Sequence, residues 1–432
     1  MKIKDFRTVL DNGPLEESPA FVASNGKELD QLIHPISREE FVGSYFSKTS
    51  LNVEGLDEKF DQIFSWERLR HALKRGEKIT DKRYNIKASF TAGEDSGNPS
   101  RLIDAYHNQV IELLNAGATI CITNIQMADP DLARWAEAIR AQLNFSGTIG
   151  LNCYISPDGS GLPMHYDKRV ATSIQIAGKK RWRYSTKSAK AWPNTNEVYQ
   201  EGKSGNEVGT LPPNMEIREV ELSPGDVLCL PAGAWHSARG IGCSLALNLF
   251  FSPRNYLEQF MPMLQNFATS NVEWRGGPPA SLEKIQGTIP EEVSSYMRER
   301  LDEFHQVALE AIGGPGALID PWLTSLTHAP YSGWEPTEIK PISDVASNQA
   351  FCIAVLPLRY IEFQNRLIIP CENALHRFPV SLGPILQQIS AEGVRFTIPE
   401  ILSRQQKANG LAPHEITHYM KVLYKVGIIK KA

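Results

Sequence analysis

The chain has 432 residues, 42% of them hydrophobic and 22% charged, with a formal net charge of -4. That balance excludes a disordered or fibrous protein, and the length exceeds what one hydrophobic core usually serves, so two or three domains are expected. No apolar run reaches the roughly 18 residues of a membrane span, and the mildly acidic charge gives no global case for nucleic acid. The opening "MKIKDFRTVLDNGPLEES" meets acidic residues too early for a secretory signal. Cys121, Cys153, Cys229, Cys243, Cys352 and Cys371 form no C-x-x-C pair and no compact framework. Reduced thiols and a cytoplasmic location are therefore expected.

To about residue 90 the pattern predicts short helices and loops. "SREEFVGSYFSKTSLNV" sets Ser37 three residues before Glu40, a capping-box signature, and "SWERLRHALKRG" repeats the device from Ser65 to a terminal Gly76. "SRLIDAYHNQVIELLNAG" reads as an amphipathic helix, "ATICITNI" as a buried strand and "PDLARWAEAIRAQLN" as a helix. From 148 to 252 the period becomes that of β-structure. "TIGLNCYIS", "HYDKRVATSIQIAG", "KKRWRYS", "NMEIREVELSPGDVLCLPAGAWHSA" and "CSLALNLFFS" are strands separated by turns such as Pro224-Gly225-Asp226. So many short strands predict a sandwich or a barrel. Residues 253–330 return to helix, and the remainder has strand-like "AFCIAVLPL" and "NRLIIPC". Three helices follow, in "VSLGPILQQISAEG", "IPEILSRQQKANG" and "APHEITHYMKVLYKVG", and "IIKKA" closes the chain, a winged-helix pattern.

Chemistry concentrates in the β-rich segment. His165 and Asp167 stand two positions apart, which on a strand directs both to one face. His236 ends "SPGDVLCLPAGAW", where a Pro/Gly turn can hold a histidine at a barrel mouth. Two histidines and one carboxylate with open positions match the facial triad of non-haem Fe(II) oxygenases. Zinc remains an alternative, although its two-His, one-carboxylate sites more often take a Glu from a helix. Each motif alone is commonly structural, and the combination carries the inference. In "GKKRWRYS", Lys180, Trp182 and Tyr184 share one strand face, and Arg181 and Arg183 the other. If the face with Trp182 is interior, Lys180 enters an apolar barrel and needs an anionic partner, such as the far carboxylate of a metal-chelating dicarboxylate. The alternative is a solvated basic cluster, the fate expected of Lys179 and Arg181.

"LNAGATICITNI", "LNCYISPDGSGLPMHYD", "QIAGKKRW" and "SPGDVLCLPAGAWHSA" together resemble the JmjC-type cupins of the ribosomal oxygenase group. The resemblance implies an α+β protein with a double-stranded β-helix (jelly-roll) core. It assigns Fe(II) to His165, Asp167 and His236, and the far carboxylate of 2-oxoglutarate to Lys180, with Gln175 and Gly178 in the preceding Q-x-x-G. It also implies Asn152 and Asn248 at the co-substrate, Tyr154 at the substrate, and dioxygen as the oxidant. The domain order it implies is an oxygenase domain with a helical extension over 1–252, a helical dimerisation domain over 253–330 and a winged helix over 331–432. Between Asp167 and Gln175 the small Ala171, Thr172 and Ser173 stand where family members often carry bulkier apolar residues.

The expected function is hydroxylation of a side chain in a protein or peptide, with ribosomal proteins among the candidates. The rivals are a tailoring hydroxylase of a small peptide or amino-acid-derived metabolite, and a non-catalytic cupin scaffold with a nucleic-acid-binding winged helix. Against the scaffold, nothing but catalysis needs the triad and Lys180 together. Residues 379–432 carry seven Lys or Arg against three Asp or Glu, too few for a clustered nucleic-acid stripe. Tyr256, Phe260, Met263 and Phe267 recur at helical spacing and predict a homodimer face, with packing on the chain's own barrel as the alternative. The "SPDGSG" loop is expected to move and to admit an extended substrate.

Overall fold

The computed structural model describes residues 5–11, 13, 15, 26–90, 101–200, 212, 214–282, 287–313, 322, 323, 326, 348–354, 358–371, 374–390, 394–405 and 411–432. They divide after Ser252 into two units, each described by itself.

Among the described residues of the first unit, eleven strands make one antiparallel sheet. They are β1 Leu51–Val53, β2 Asn85–Phe90, β3 Arg101–Ala105, β4 Thr119–Thr123, β5 Thr148–Ser156 and β6 Gly161–Tyr166. There follow β7 Val170–Ser185, β8 Glu197–Val198, β9 Ile217–Leu222, β10 Val227–Leu230 and β11 His236–Ser252. The order runs β1-β10-β7-β11-β5-β4-β2-β3, with β6 also on β11, β8 on β6 and β9 on β7.

The two long strands, β7 and β11, organise the sheet. Early β11 lies between β6 and late β7, while late β11 lies between β5 and early β7. The register slips between Ile241 and Ala246, opposite Gly178. Gly178 has φ 65°, and a Cβ there would sit 1.9 Å from the Cys243 carbonyl oxygen, so only glycine permits this bulge. Gln175 clasps it, its Nε2 donating to the carbonyls of Ala177 at 2.9 Å and Gly178 at 3.2 Å and to Ser244 Oγ at 3.0 Å.

Alternation then assigns the faces. Ile149, Leu151, Cys153 and Ile155 of β5 join Leu245, Leu247, Leu249 and Phe251 of β11 in the main core. Leu69 and Ala72 of helix Trp66–Gly76 and Leu132, Trp135 and Ile139 of helix Pro130–Gln142 complete that core. Both helices start as their sequences direct: Ser65 accepts from Arg68 N–H, and Asp129 accepts from the N–H groups of Asp131 and Leu132. Asp129 also forms a buried pair with Arg68, Nη2 to Oδ1 at 2.6 Å.

Three expectations are corrected. The first 90 residues are not helix and loop alone, because β1 and β2 join the sheet. "SRLIDAYHNQVIELLNAG" is not one helix: Arg101–Ala105 pairs with β2, and the α-helix is only Val110–Asn115. Pairing to β2 overrides the helical spacing, since Ile103 and Ala105 also satisfy a period of two. Finally, "HYDKRVATS" is broken after Tyr166, so Asp167 sits in the turn between β6 and β7.

The second unit contains helices Tyr256–Ser270, Val272–Arg275 and Glu291–Gly313. It also holds β12 Phe351–Ile353, β13 Ile361–Phe363, β14 Arg366–Cys371 and β15 Ala374–Pro379, then helices Gly383–Ile389, Ile398–Gln405 and Pro413–Lys425, and β16 Ile429–Lys431. β12 pairs with β16, and β13, β14 and β15 form a separate sheet. In the stripe expected at a dimer face, the side chains of Tyr256, Phe260 and Met263 lie outside the described residues. Phe267 meets Trp274 edge-on at 5.2 Å. No helix of the described residues is long and apolar enough to cross a membrane.

Candidate metal centre

His165 on β6 and His236 at the start of β11 are register partners, which brings their ring centroids to 4.2 Å. From the turn after β6, Asp167 places Oδ2 4.0 Å from His236 Nε2. One ligand atom from each of the three residues lies within 4.8 Å of the other two.

The ring tautomers follow from the neighbours. His165 Nδ1 is 2.7 Å from the Pro163 carbonyl oxygen, and His236 Nδ1 is 2.9 Å from that of Ala234. A carbonyl only accepts, so each Nδ1 carries the proton and each Nε2 lone pair is free for a metal. Burial, then the neighbouring His165, lowers the His236 pKa to about 4, which keeps the ring in the neutral form that ligates. The carboxylate is fixed as well. Asn196 Nδ2 donates to Asp167 Oδ1 at 2.8 Å, and Asn196 Oδ1 accepts from Lys168 N–H at 2.9 Å. Gly233 N–H donates to the Asp167 carbonyl at 2.8 Å, tying the Pro/Gly turn before His236 to the turn after His165. Asn196 carries no motif, and sequence reasoning had no signal by which to find it.

The triad lines a solvent-open pocket together with Tyr154, Ser173, Lys180, Trp182 and Asn248. Lys180 is 4% exposed and makes no ion pair with a described residue. Its Nζ stands 5.6 Å from the Tyr154 ring centroid, and burial lowers its pKa to about 8. Trp182, two residues on, stands 5.9 Å from the His236 ring. Asn248 Oδ1 is buried without a hydrogen-bond partner among the described residues. Burial also raises the Tyr154 hydroxyl well above its usual pKa, so it stays protonated.

Asn152 is not brought into the pocket lining. It is buried on β5, and its Oδ1 accepts from Asn124 N–H at 3.2 Å, holding a residue of left-handed conformation (φ 51°). The "SPDGSG" loop is pinned rather than open. Ser160 Oγ donates to the Gly117 carbonyl at 2.7 Å, Gly242 N–H to Asp158 Oδ1 at 2.7 Å, and Gly159 N–H to the Gly240 carbonyl at 2.9 Å. Of the three small residues after the H-x-D, Ser173 reaches the pocket, while Ala171 and Thr172 are buried away from its lining.

Comparison with known proteins agrees with this geometry. Residues 122–258 match the JmjC domain. The matched segment carries all three candidate ligands, His165, Asp167 and His236. It is 26% identical over 265 residues to the uncharacterized protein YxbC of Bacillus subtilis, covering 57% of this chain and 77% of that one. It is 24% identical over 280 residues to the bifunctional lysine-specific demethylase and histidyl-hydroxylase NO66 of Aedes aegypti, covering 62% of this chain. That alignment spans only 42% of the mosquito protein, less than half its length. The fold matches YcfD, a ribosomal oxygenase from Escherichia coli solved with cobalt and 2-oxoglutarate. There the TM-score is 0.51 at 14% identity, over 92% of this chain and 98% of that one.

Proposed function

We propose that the protein is an Fe(II)- and 2-oxoglutarate-dependent oxygenase that hydroxylates an amino-acid side chain of a protein or peptide, ribosomal proteins being one candidate class. The observation that carries this is a buried, unpaired Lys180 ammonium in the same pocket as two free imidazole Nε2 atoms and a carboxylate. A buried ammonium without a counter-charge is costly, and a dicarboxylate held at one end by the metal supplies that charge at the other.

His165 and His236 would hold the iron through Nε2 and Asp167 through Oδ2. Held there, iron with 2-oxoglutarate and dioxygen would supply the chemistry for inserting one oxygen atom into a substrate C–H bond, with succinate and carbon dioxide as co-products. The chain's part is placement. Pro163 and Ala234 fix the two rings, Asn196 fixes the carboxylate, and Lys180 grips the distal carboxylate through a charge-assisted bond at low dielectric. Trp182 and Ala238 give the pocket an apolar wall, and the amide of Asn248, whose Oδ1 has no partner among the described residues, would hydrogen-bond a group bound there.

The rest of the reading is an oxygenase domain over 1–252, a helical dimerisation domain over 253–330 and a winged helix over 331–432, in a cytoplasmic homodimer. Three observations support the domain division: the unit break after Ser252, the long helix Glu291–Gly313, and the closure of β16 on β12 after three helices. The test is incubation of iron-loaded protein with 2-oxoglutarate and a matched cell extract, followed by a peptide search for the gain of one oxygen atom. A modified peptide absent from a His165→Ala control supports the proposal. Iron-dependent consumption of 2-oxoglutarate driven by a free metabolite, with no peptide modified, overturns the polypeptide substrate.

A further inference from the structure

Beyond the metal centre, the pocket face of the sheet continues outward in a defined order. Asn248 and Ser173 are register partners that line the pocket, and one step along the same strands Phe250 and Ala171 are partners on the same face. Opposite Phe250 on β5 stands Gly150, where a Cβ would come within 2.4 Å of the Phe250 ring. Without that side chain the ring lies across β5. The Arg169 guanidinium rests on it, 3.7 Å from the centroid.

Arg169 is half-buried, two residues beyond Asp167, and makes no ion pair or hydrogen bond with a described residue. Its charge is felt inside the pocket, where it opposes the upward push of burial on Tyr154. Lys87 shares this face through the register chain Lys87, Cys121, Tyr154, but it already has Asp104 at 3.9 Å. Lys180 lies in the pocket and is occupied in the reading above. A guanidinium stacked on an aromatic ring is pre-oriented, with its N–H fork free, and loses little side-chain freedom on gripping a carboxylate.

We infer that Arg169, seated on Phe250 beside the metal pocket, recognises a carboxylate of the polypeptide substrate, so that the enzyme selects target residues flanked by acidic groups. This rests on the oxygenase reading, and the test keeps the two separable. Fluorescent short-peptide pools with amidated C-termini are prepared with fixed acidic, fixed basic or only neutral residues, plus neutral peptides with a free C-terminal carboxylate. Binding to metal-loaded protein with 2-oxoglutarate is read by anisotropy, and iron-dependent succinate formation is read separately.

The acidic pool should bind about tenfold tighter than the neutral one, an ordinary return for a charge-assisted contact at a partly exposed site. Arg169→Met, which keeps the cover over Phe250 and drops the charge, should erase that preference, and Arg169→Lys should restore part of it. A comparable gain for the free C-terminus, also lost in Arg169→Met, would support carboxylate recognition and assign the carboxylate to a chain end. Equal binding of all pools, no binding by any pool, or a preference that survives Arg169→Met overturns the inference. An Arg169-dependent preference without iron-dependent succinate formation would support carboxylate recognition and sink the oxygenase reading instead.

Discussion

The two faces of β7 take the same residue types to opposite ends. Lys179 and Arg183 stand in solvent and meet Glu221 at 2.9 Å and Glu219 at 3.1 Å. Such solvent-screened pairs contribute little to stability. Lys180, one residue from Lys179, is 4% exposed, and no carboxylate of a described residue reaches it. Its pKa falls from 10.5 to about 8, a cost on the order of 3 kcal/mol while it stays charged. A sheet face decides whether a cation is solvated or stranded, and a stranded cation in a pocket implies a ligand to receive it.

Removing the metal end of that pocket should have the largest effect. His165→Ala with His236→Ala should abolish iron binding, seen by metal analysis after gel filtration, with the circular dichroism of the sheet unchanged. Next is Lys180→Met, which removes the stranded charge. In metal-free protein at pH 7 it should raise stability by up to about 3 kcal/mol by denaturant unfolding, while the iron-loaded variant should bind 2-oxoglutarate about a hundredfold more weakly. The sign follows from the lowered pKa. Below pH 8 the folded protein carries a costly ammonium, and between about 8 and 10.5 the unfolded chain binds the extra proton, so wild-type stability rises with pH. The variant's advantage should therefore shrink across that window.

The same ionisation should appear in binding. Affinity for 2-oxoglutarate should fall as pH rises past about 8, by up to about tenfold per pH unit, as the free protein loses the ammonium. Asn196→Ala frees Asp167 Oδ1 and should weaken metal binding by roughly tenfold in a competition titration, the usual scale for such supporting contacts. Smallest of all, Lys179→Ala on the solvent face should change neither stability nor 2-oxoglutarate affinity beyond about twofold.

Those contrasts match what was legible in the sequence. Alternation in "KKRWRYS" separated Lys180 from its neighbours because a strand has a fixed period of two, and β7 obeys it from Lys179 to Tyr184. His165, Asp167 and His236 were legible as a set because metal chemistry restricts residue types. Their convergence depends on the β6–β11 register, which spacing along the chain does not encode. Asn196 was invisible, since a loop amide has no pattern until the fold brings it to Asp167. Asn152 resembled a pocket residue by motif, yet its side chain is engaged by the Asn124 backbone. Strand β3 was hidden because its apolar residues continue the helical spacing of the segment after it, while Ile103 and Ala105 also fit a period of two, and only pairing with β2 decides. The glycines of "SPDGSG" suggested mobility, but Gly159 serves a tight turn (φ 71°) that hydrogen bonds hold closed.

Calorimetric titration of 2-oxoglutarate into anaerobic, iron-loaded protein tests the joint claim of the triad and Lys180 most directly. Wild type and Lys179→Ala should show one metal-dependent site of equal affinity. Lys180→Ala should bind about a hundredfold more weakly, the loss expected when a desolvated carboxylate is left unpaired. Equal affinity in Lys180→Ala and wild type, or binding that persists without metal, would contradict it.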